Sequence, residues 1–252
     1  MTEPTDSIVV ENVDLTYGDF VIQSNLNFTI ERGEIFVIMG GSGCGKTTVM
    51  RCISGLKAPT RGRVFIGGLN FWETSPAEQD RVRRRCGIVY QSGALWSSLT
   101  LAENVGLPLG YYTDLGAKEI RELGALKLAL VGLAGFEDYY PSEISGGMRK
   151  RAGVARALAL EPEYLFFDEP SAGLDPISSS LLDDLILELR DSLGATIVVV
   201  THELPSIFAI ADNSVYLDPV SKTQIASGDP KRLVKEEPDP RVHDFLTRCG
   251  KG

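Results

Sequence analysis

The 252-residue sequence contains no apolar run approaching the roughly 20 residues that cross a bilayer. Its longest apolar pieces, such as TIVVV and YLFF, are the length of strands. The opening MTEPTDSIVV lacks the charged-then-apolar pattern of a secretory leader. These two absences lead us to expect a chain that stays in the cytosol or sits on a membrane through a partner. Cys44, Cys52, Cys86 and Cys249 show no CxxC spacing, so neither a zinc site nor a disulfide frame is indicated, and they read as reduced, mostly buried thiols. Basic charge is in deficit: 25 Lys and Arg against 34 Asp and Glu, a formal net charge of -9. That balance weighs against a nucleic-acid partner, whose phosphates need a basic face. The arginine-rich RVRRRCG reads as a solvated helix face. There is no internal repeat and no low-complexity segment.

What remains is the composition of an ordinary globular protein, with 43% hydrophobic residues and enough length for a large core. Short apolar pieces at the start (IVVENVDLTY, NLNFTI, EIFVIM) are separated by charge and glycine and read as strands. GRVFIGG reads as a hairpin strand. Residues from about 92 to 160 are mostly helical in pattern. Within them Ile120, Leu123, Leu126, Leu130 and Leu133 recur at steps of three and four and predict one apolar stripe. Later, YLFFD and ATIVVVTH flank a helical SSSLLDDLILELRDSLG that Gly194 is placed to stop. Strands apolar on both faces and alternating with helices predict a parallel sheet covered on both sides. The tail is polar and proline-broken, with a short helix expected around Val242 to Leu246.

The stretch VIMGGSGCGKTTVM holds the densest chemistry. Gly40 to Thr47 fits G-x-x-x-x-G-K-[ST] at every fixed position, between a strand and a helix. Glycines let successive backbone N–H groups converge on phosphate oxygens, and the helix that follows adds free N–H groups and a positive dipole end. Lys46 supplies a cation for the β- and γ-phosphates and Thr47 a hydroxyl for Mg²⁺. The plain alternative, a glycine turn, leaves the lysine and threonine without a role. So does a dinucleotide loop, whose G-x-G-x-x-G register is not matched. In YLFFDEP, Asp168 and Glu169 end an apolar strand. Asp168 can reach a magnesium shell, and Glu169, where the strand breaks toward Pro170, can accept a proton from water.

With these elements in order, the chain resembles ABC-type transport ATPases over nearly its whole length. Tyr17 in LTYGDF matches the aromatic that stacks on adenine. Gln91 in GIVYQSG matches the glutamine that touches Mg²⁺ and faces the transmembrane partner. Ser145, Gly146 and Gly147 in SGGMRKR match the family signature, with Met148 where glutamine is usual. Asp175 in SAGLDP matches the D-loop, and His202 in VVVTHE the switch histidine at the γ-phosphate. The resemblance implies an α/β fold: a P-loop NTPase cassette with a parallel core sheet flanked by helices, an N-terminal antiparallel β subdomain and a helical signature subdomain at about 92–160. It implies one domain over 1–252, with a tail from about 229. It also implies ATP and Mg²⁺. Nucleotide would be held by Tyr17, Gly40, Gly41, Ser42, Gly43, Cys44, Gly45, Lys46, Thr47, Thr48, Gln91 and Ser145 to Gly147. The metal would be held by Thr47, Gln91 and Asp168, and catalysis carried by Glu169, His202 and Lys46.

Two chains would pair head to tail, each capping its partner's nucleotide with Ser145 and Gly147. YQSGALWSSLTLAENVGLPL, PSEISGGMRKRAGVARALALEPEYLFFDEPSAGLDPI and PDPRVHDFL further resemble ATPases of Mla-type phospholipid transport systems, which work with MCE proteins. That resemblance implies a homodimer on a permease pair at the cytoplasmic face of the inner membrane. A STAS-domain regulator would sit alongside, and the tail would dock on the neighbouring ATPase or on that regulator. The permease would be met after Gln91, with Leu95 and Trp96 as contacts. Other readings are an importer ATPase for amino acids or another small polar solute, and a regulatory nucleotide binder without turnover. A permease-free ATPase of DNA repair or translation is disfavoured, because the chain has no room for a coiled-coil insertion or a second cassette. Lys46→Ala is expected to weaken nucleotide binding, measured by calorimetry; unchanged affinity would contradict the phosphate cradle.

Overall fold

In the computed structural model, which describes residues 7–247, two sheets enclose a helix and the remaining helices pack outside them. The chain opens with β1 (Ile8–Tyr17), β2 (Phe20–Ile30) and β3 (Ile35–Gly40), then α1 (Lys46–Ile53), β4 (Arg61–Ile66), β5 (Leu69–Asn70), α2 (Pro76–Arg84) and β6 (Cys86–Val89). A helical section follows: α3 (Leu101–Tyr112), α4 (Ala117–Leu130), a 3₁₀ turn at Pro141–Glu143 and α5 (Gly146–Ala157). The chain then alternates through β7 (Tyr164–Asp168), α6 (Pro176–Leu193), β8 (Thr196–Val200), α7 (Leu204–Ile210), β9 (Asn213–Asp218) and β10 (Thr223–Gly228). It ends in α8 (Pro230–Glu236) and α9 (Pro240–Thr247).

One sheet is antiparallel in the order β2-β1-β4-β5; the other runs β10-β9-β3-β8-β7-β6. In the second sheet β6, β7, β8, β3 and β9 are parallel, and only the edge strand β10 is antiparallel, to β9. This is the expected parallel sheet with an antiparallel N-terminal sheet beside it. β9 and β10 extend it beyond the strands that the apolar pattern marks.

β3, β7 and β8 are buried at every position, because both faces of their sheet are covered. Their alternation divides the core. Ile35, Val37, Met39, Leu165, Phe167, Ile197 and Val199 face the outer helices. Phe36, Ile38, Tyr164, Phe166, Val198 and Val200 face α1 and the antiparallel sheet, where Phe36 stacks on Phe28 at 5.4 Å. α1 is thereby held between two sheets, which fixes where its N-terminus points.

Local signals set the helix ends. Asp175 caps α6, accepting from Ile177 N and Ser178 N, and Gly194 closes it in the left-handed conformation at φ 64°. Thr100 and Glu103 form a reciprocal capping box on α3. In α2 Arg81 and Arg84 are solvated and paired, to Glu78 and Asp80, whereas Arg83 is partly buried and donates to Gly55 O at 3.1 Å.

The expected α4 stripe is corrected. Leu126 and Leu130 are 53% and 51% exposed, and the inward face carries Gly124 and Leu128, with Ile120 and Leu123 partly buried. Gly124 sets this rotation: a Cβ there would lie 3.1 Å from Ala102 O of α3, so the two backbones meet at that glycine.

The expected tail helix is present as α9. Val242 and Leu246 are buried, Phe245 packs edge-on against Tyr216 at 5.1 Å, and Arg241 pairs with Asp218 at 2.8 Å. Up to Thr247 the tail is therefore seated on its own chain. Cys44 and Cys52 are buried and Cys86 partly so, all as free thiols, whereas Cys249 lies outside the described residues. No described helix is long and apolar enough to cross a membrane. Leu246→Ala is expected to destabilise the chain by about 2–4 kcal/mol in chemical denaturation, the cost of emptying a filled apolar site.

Candidate nucleotide site

The register of the parallel sheet builds the site. Ile38 of β3 pairs with Val200 of β8, and Val200 with Asp168 of β7, so β8 and β7 end at one level and β3 two residues beyond it, at Gly40. The glycine loop leaves β3, the acidic pair leaves β7 and His202 follows β8. Such loops at the carboxyl ends of parallel strands are the usual place for a ligand in an open α/β sheet.

The loop's glycines are required by space as well as by conformation. Gly45 has φ 97°, and a Cβ there would collide with Cγ2 of Ile22 on β2. Gly40 has φ 149°, and its Cβ would lie 2.5 Å from Leu217 O and 2.8 Å from Cys44 Sγ. The Cys44 side chain is buried under the loop, so this residue offers the cleft only its backbone. Burial raises the thiol pKa, against the opposing charge of Lys46.

Ser42, Gly43, Gly45, Lys46, Thr47 and Thr48 line a cleft of about 440 Å³ with Gln91, Glu169 and His202. The Lys46 ammonium donates to Gly40 O at 3.1 Å and Gly41 O at 3.2 Å, and lies 3.5 Å from Glu169 Oε1. On its other side the Glu169 carboxylate meets His202 Nδ1, 3.0 Å from Oε1 and 2.9 Å from Oε2. Glu169 sits at φ 48°, a strained conformation for a residue with a side chain, and its N–H donates to Val200 O at 2.8 Å. Thr47 Oγ1 donates to Asp168 Oδ1 at 2.7 Å. A hydroxyl and a carboxylate oxygen side by side at the foot of a phosphate-type loop are hard donors of the kind Mg²⁺ takes, so the residues fit that ion.

The remaining expected residues lie elsewhere. Tyr17 is not among the cleft-lining residues; it is 51% exposed at the end of β1, with the Lys57 ammonium 4.3 Å over its ring. Ser145, Gly146 and Gly147 form the start of α5, where Ser145 Oγ accepts from Met148 N at 3.2 Å. Ser145 and Gly147 line a separate depression of about 50 Å³ with Leu174 and Ser178. Asp175 is occupied as a cap, and its bonds from Ser178 lower its pKa. Within one chain the glycine loop and the signature are thus two separate places.

Residues 23–172 match the model of the family described as ABC transporter. The chain belongs to that family. It is 42% identical over 243 residues to the intermembrane phospholipid transport system ATP-binding protein MlaF of Escherichia coli K12, covering 96% of this chain and 89% of that one. It is 38% identical to the probable ribonucleotide transport ATP-binding protein mkl of Mycobacterium tuberculosis H37Rv, covering 95% of this chain and 66% of mkl. Among solved structures, a dimeric ATP-binding cassette in a post-hydrolysis state bound to ADP and Pi superposes with a TM-score of 0.78. Its identity is 30%, over 87% of this chain and 97% of the cassette. This ABC cassette is therefore an ATPase that works in transport, and dimeric relatives are known for its fold.

Several supporting residues of the cassette carry no motif. Gln23 of β2 is fully buried and donates through Nε2 to Cys44 O of the glycine loop at 2.6 Å and to Asp218 O at 3.4 Å. Asp218 in turn accepts from Ser221 and from Arg241 of α9. A polar chain thus runs from the last helix to the loop. Asn104, also fully buried, ties the loop after Gln91 by bonding Trp96 N, Trp96 O and Leu99 O. A lone glutamine in an alternating strand and a single asparagine in a helix give no sequence signal. Gly45→Ala is expected to weaken ATP binding at least about tenfold. Gly45→Ala/Ile22→Ala removes the collision but not the φ strain, and is expected to recover only part of that loss in nucleotide titrations.

Proposed function

We propose that this protein is the ATP-hydrolysing subunit of a phospholipid transport system of the Mla type. It works as a homodimer on the cytoplasmic face of the inner membrane, driving a permease pair that serves an MCE-domain protein, with a STAS-domain regulator at its side. The observation that carries the lipid assignment is the similarity to MlaF, which runs across 96% of the chain rather than the motif region alone. The head-to-tail pairing is supported by Ser145 and Gly147 lining a depression separate from the cleft at their own chain's glycine loop. In a pair, they cap the γ-phosphate held by the partner's loop.

The chemistry follows from placement and charge. Backbone N–H groups of Gly40 to Thr48 and the Lys46 ammonium take the phosphates, and Tyr17 offers an exposed ring for adenine. When bound, Mg²⁺, held by Thr47, Asp168 and Gln91, supplies charge neutralisation at the β- and γ-phosphates. Glu169 orients the attacking water and accepts its proton, and His202 holds that carboxylate from outside while facing the γ-phosphate position. Closure of the two cassettes around ATP, and their release after hydrolysis, is the motion passed to the permease. The face after Gln91, where Trp96 is exposed, meets it.

Glu169→Gln is expected to keep ATP binding and lower turnover by roughly 10² to 10⁴, the usual worth of a general base. A variant with most of its turnover intact removes Glu169 from that role. Isolation of the protein from solubilised membranes, with identification of bound proteins and lipids, tests the substrate. An MCE protein with phospholipid supports the proposal, and a periplasmic amino-acid receptor replaces it with small-solute import.

A further inference from the structure

Lys150 is a cation that the chemistry above does not use. It lies on α5, less than two turns beyond Ser145, and is only 7% exposed. Its ammonium donates to Pro170 O and to Ala172 O, both at 2.6 Å. Those carbonyls belong to the segment immediately after Glu169. Among the described residues no carboxylate lies within ion-pair distance of it. Burial pushes its pKa below the ordinary lysine value, opposed by the negative charge of Glu169. A buried ammonium satisfied only by carbonyls carries a desolvation cost that its hydrogen bonds must offset. Its use here calls for a geometric reason.

The loop it grips supplies one. Glu169 stands at φ 48°, a conformation that persists only when its surroundings fix it. On one side the Glu169 N–H is tied to Val200 O. On the other side the chain passes through Pro170 to Ala172, whose N–H returns to Glu169 O at 3.2 Å, and Lys150 clamps the carbonyls of the second and fourth residues of this turn. The clamp bonds are short and charge-assisted, the strong class of hydrogen bond.

We propose that Lys150 is a positioning residue for hydrolysis: by gripping Pro170 O and Ala172 O it holds the Glu169 turn in its working conformation and ties it to the helix that begins with Ser145 and Gly147. The inference rests on Glu169 being the base. It adds that the helix presenting one chain's signature to its partner is fastened to that same chain's own catalytic turn. A shift of the signature helix is then passed to Glu169 through one side chain.

The test compares Lys150→Met, Lys150→Gln and Glu169→Gln in the full-length protein, reading steady-state kcat and KM together with the affinity for a fluorescent ATP analogue. Methionine keeps the length and removes the donors; glutamine restores N–H donors on a shorter, neutral side chain. Lys150→Met is expected to lower kcat about 10- to 100-fold, the scale of a misplaced catalytic group, with nucleotide affinity within twofold of the parent. Lys150→Gln is expected to fall between the two. Retention of kcat in Lys150→Met, while Glu169→Gln loses it, overturns this inference alone. Retention in Glu169→Gln overturns the assignment of the base and this inference with it. If Lys150→Met loses affinity in step with kcat, or glutamine gives no recovery, Lys150 is a structural residue and the positioning role is wrong.

Discussion

The structure depends on the shared register of β3, β8 and β7 at their carboxyl ends. Because the parallel register aligns Ile38, Val200 and Asp168, the glycine loop, the histidine and the acidic pair leave the sheet within reach of one another. Each strand is locked there by burial on both faces, so the ends cannot drift independently. The same constraint directs α1: pressed between two apolar layers, it has one position, and its first turn opens on the cleft. Lys46 at its head can then lie 3.5 Å from Glu169 although the two are far apart in sequence.

The parts of the site that could be read from sequence are those whose chemistry forces residue types at fixed spacing. A loop of N–H groups closing on phosphate needs glycine, and Gly40 and Gly45 show why, since a Cβ at either runs into neighbouring atoms. Asp168 and Glu169 are legible only beside the glycine loop, since two acids at the end of an apolar strand can equally be solvated side chains. The supporting residues lacked such a code. Gln23, Asp218 and Arg241 act through a backbone carbonyl and a distant ion pair, so any spacing serves. Lys150 sits in a basic run, MRKR, whose spacing does not mark which member is buried. The α4 stripe misled for a related reason: where small residues let helix backbones touch, the contact face follows the glycine rather than the leucines.

The division of binding groups within one chain is the other organising feature. The glycine loop and the SGG segment line separate pockets of one chain, and the solved cassette with ADP and Pi is dimeric. Close packing along α5 gives the arrangement stiffness. Gly153 lies against Gly93, so the loop after Gln91 rests on the helix that presents the signature. Arg156 adds bonds to Gly93 O and Ala94 O. The loop after Gln91, the signature and the acidic turn are therefore fastened to one rod.

The thiol beneath the glycine loop has a practical consequence. Cys44 is sealed under the backbone that faces the cleft, and burial disfavours its thiolate, whereas electrophiles react with the ionised and accessible form. Alkylation at this position can proceed only while the loop is lifted from its bed. The protein therefore carries its own gauge of how often that loop opens, readable by mass spectrometry of the alkylated peptide.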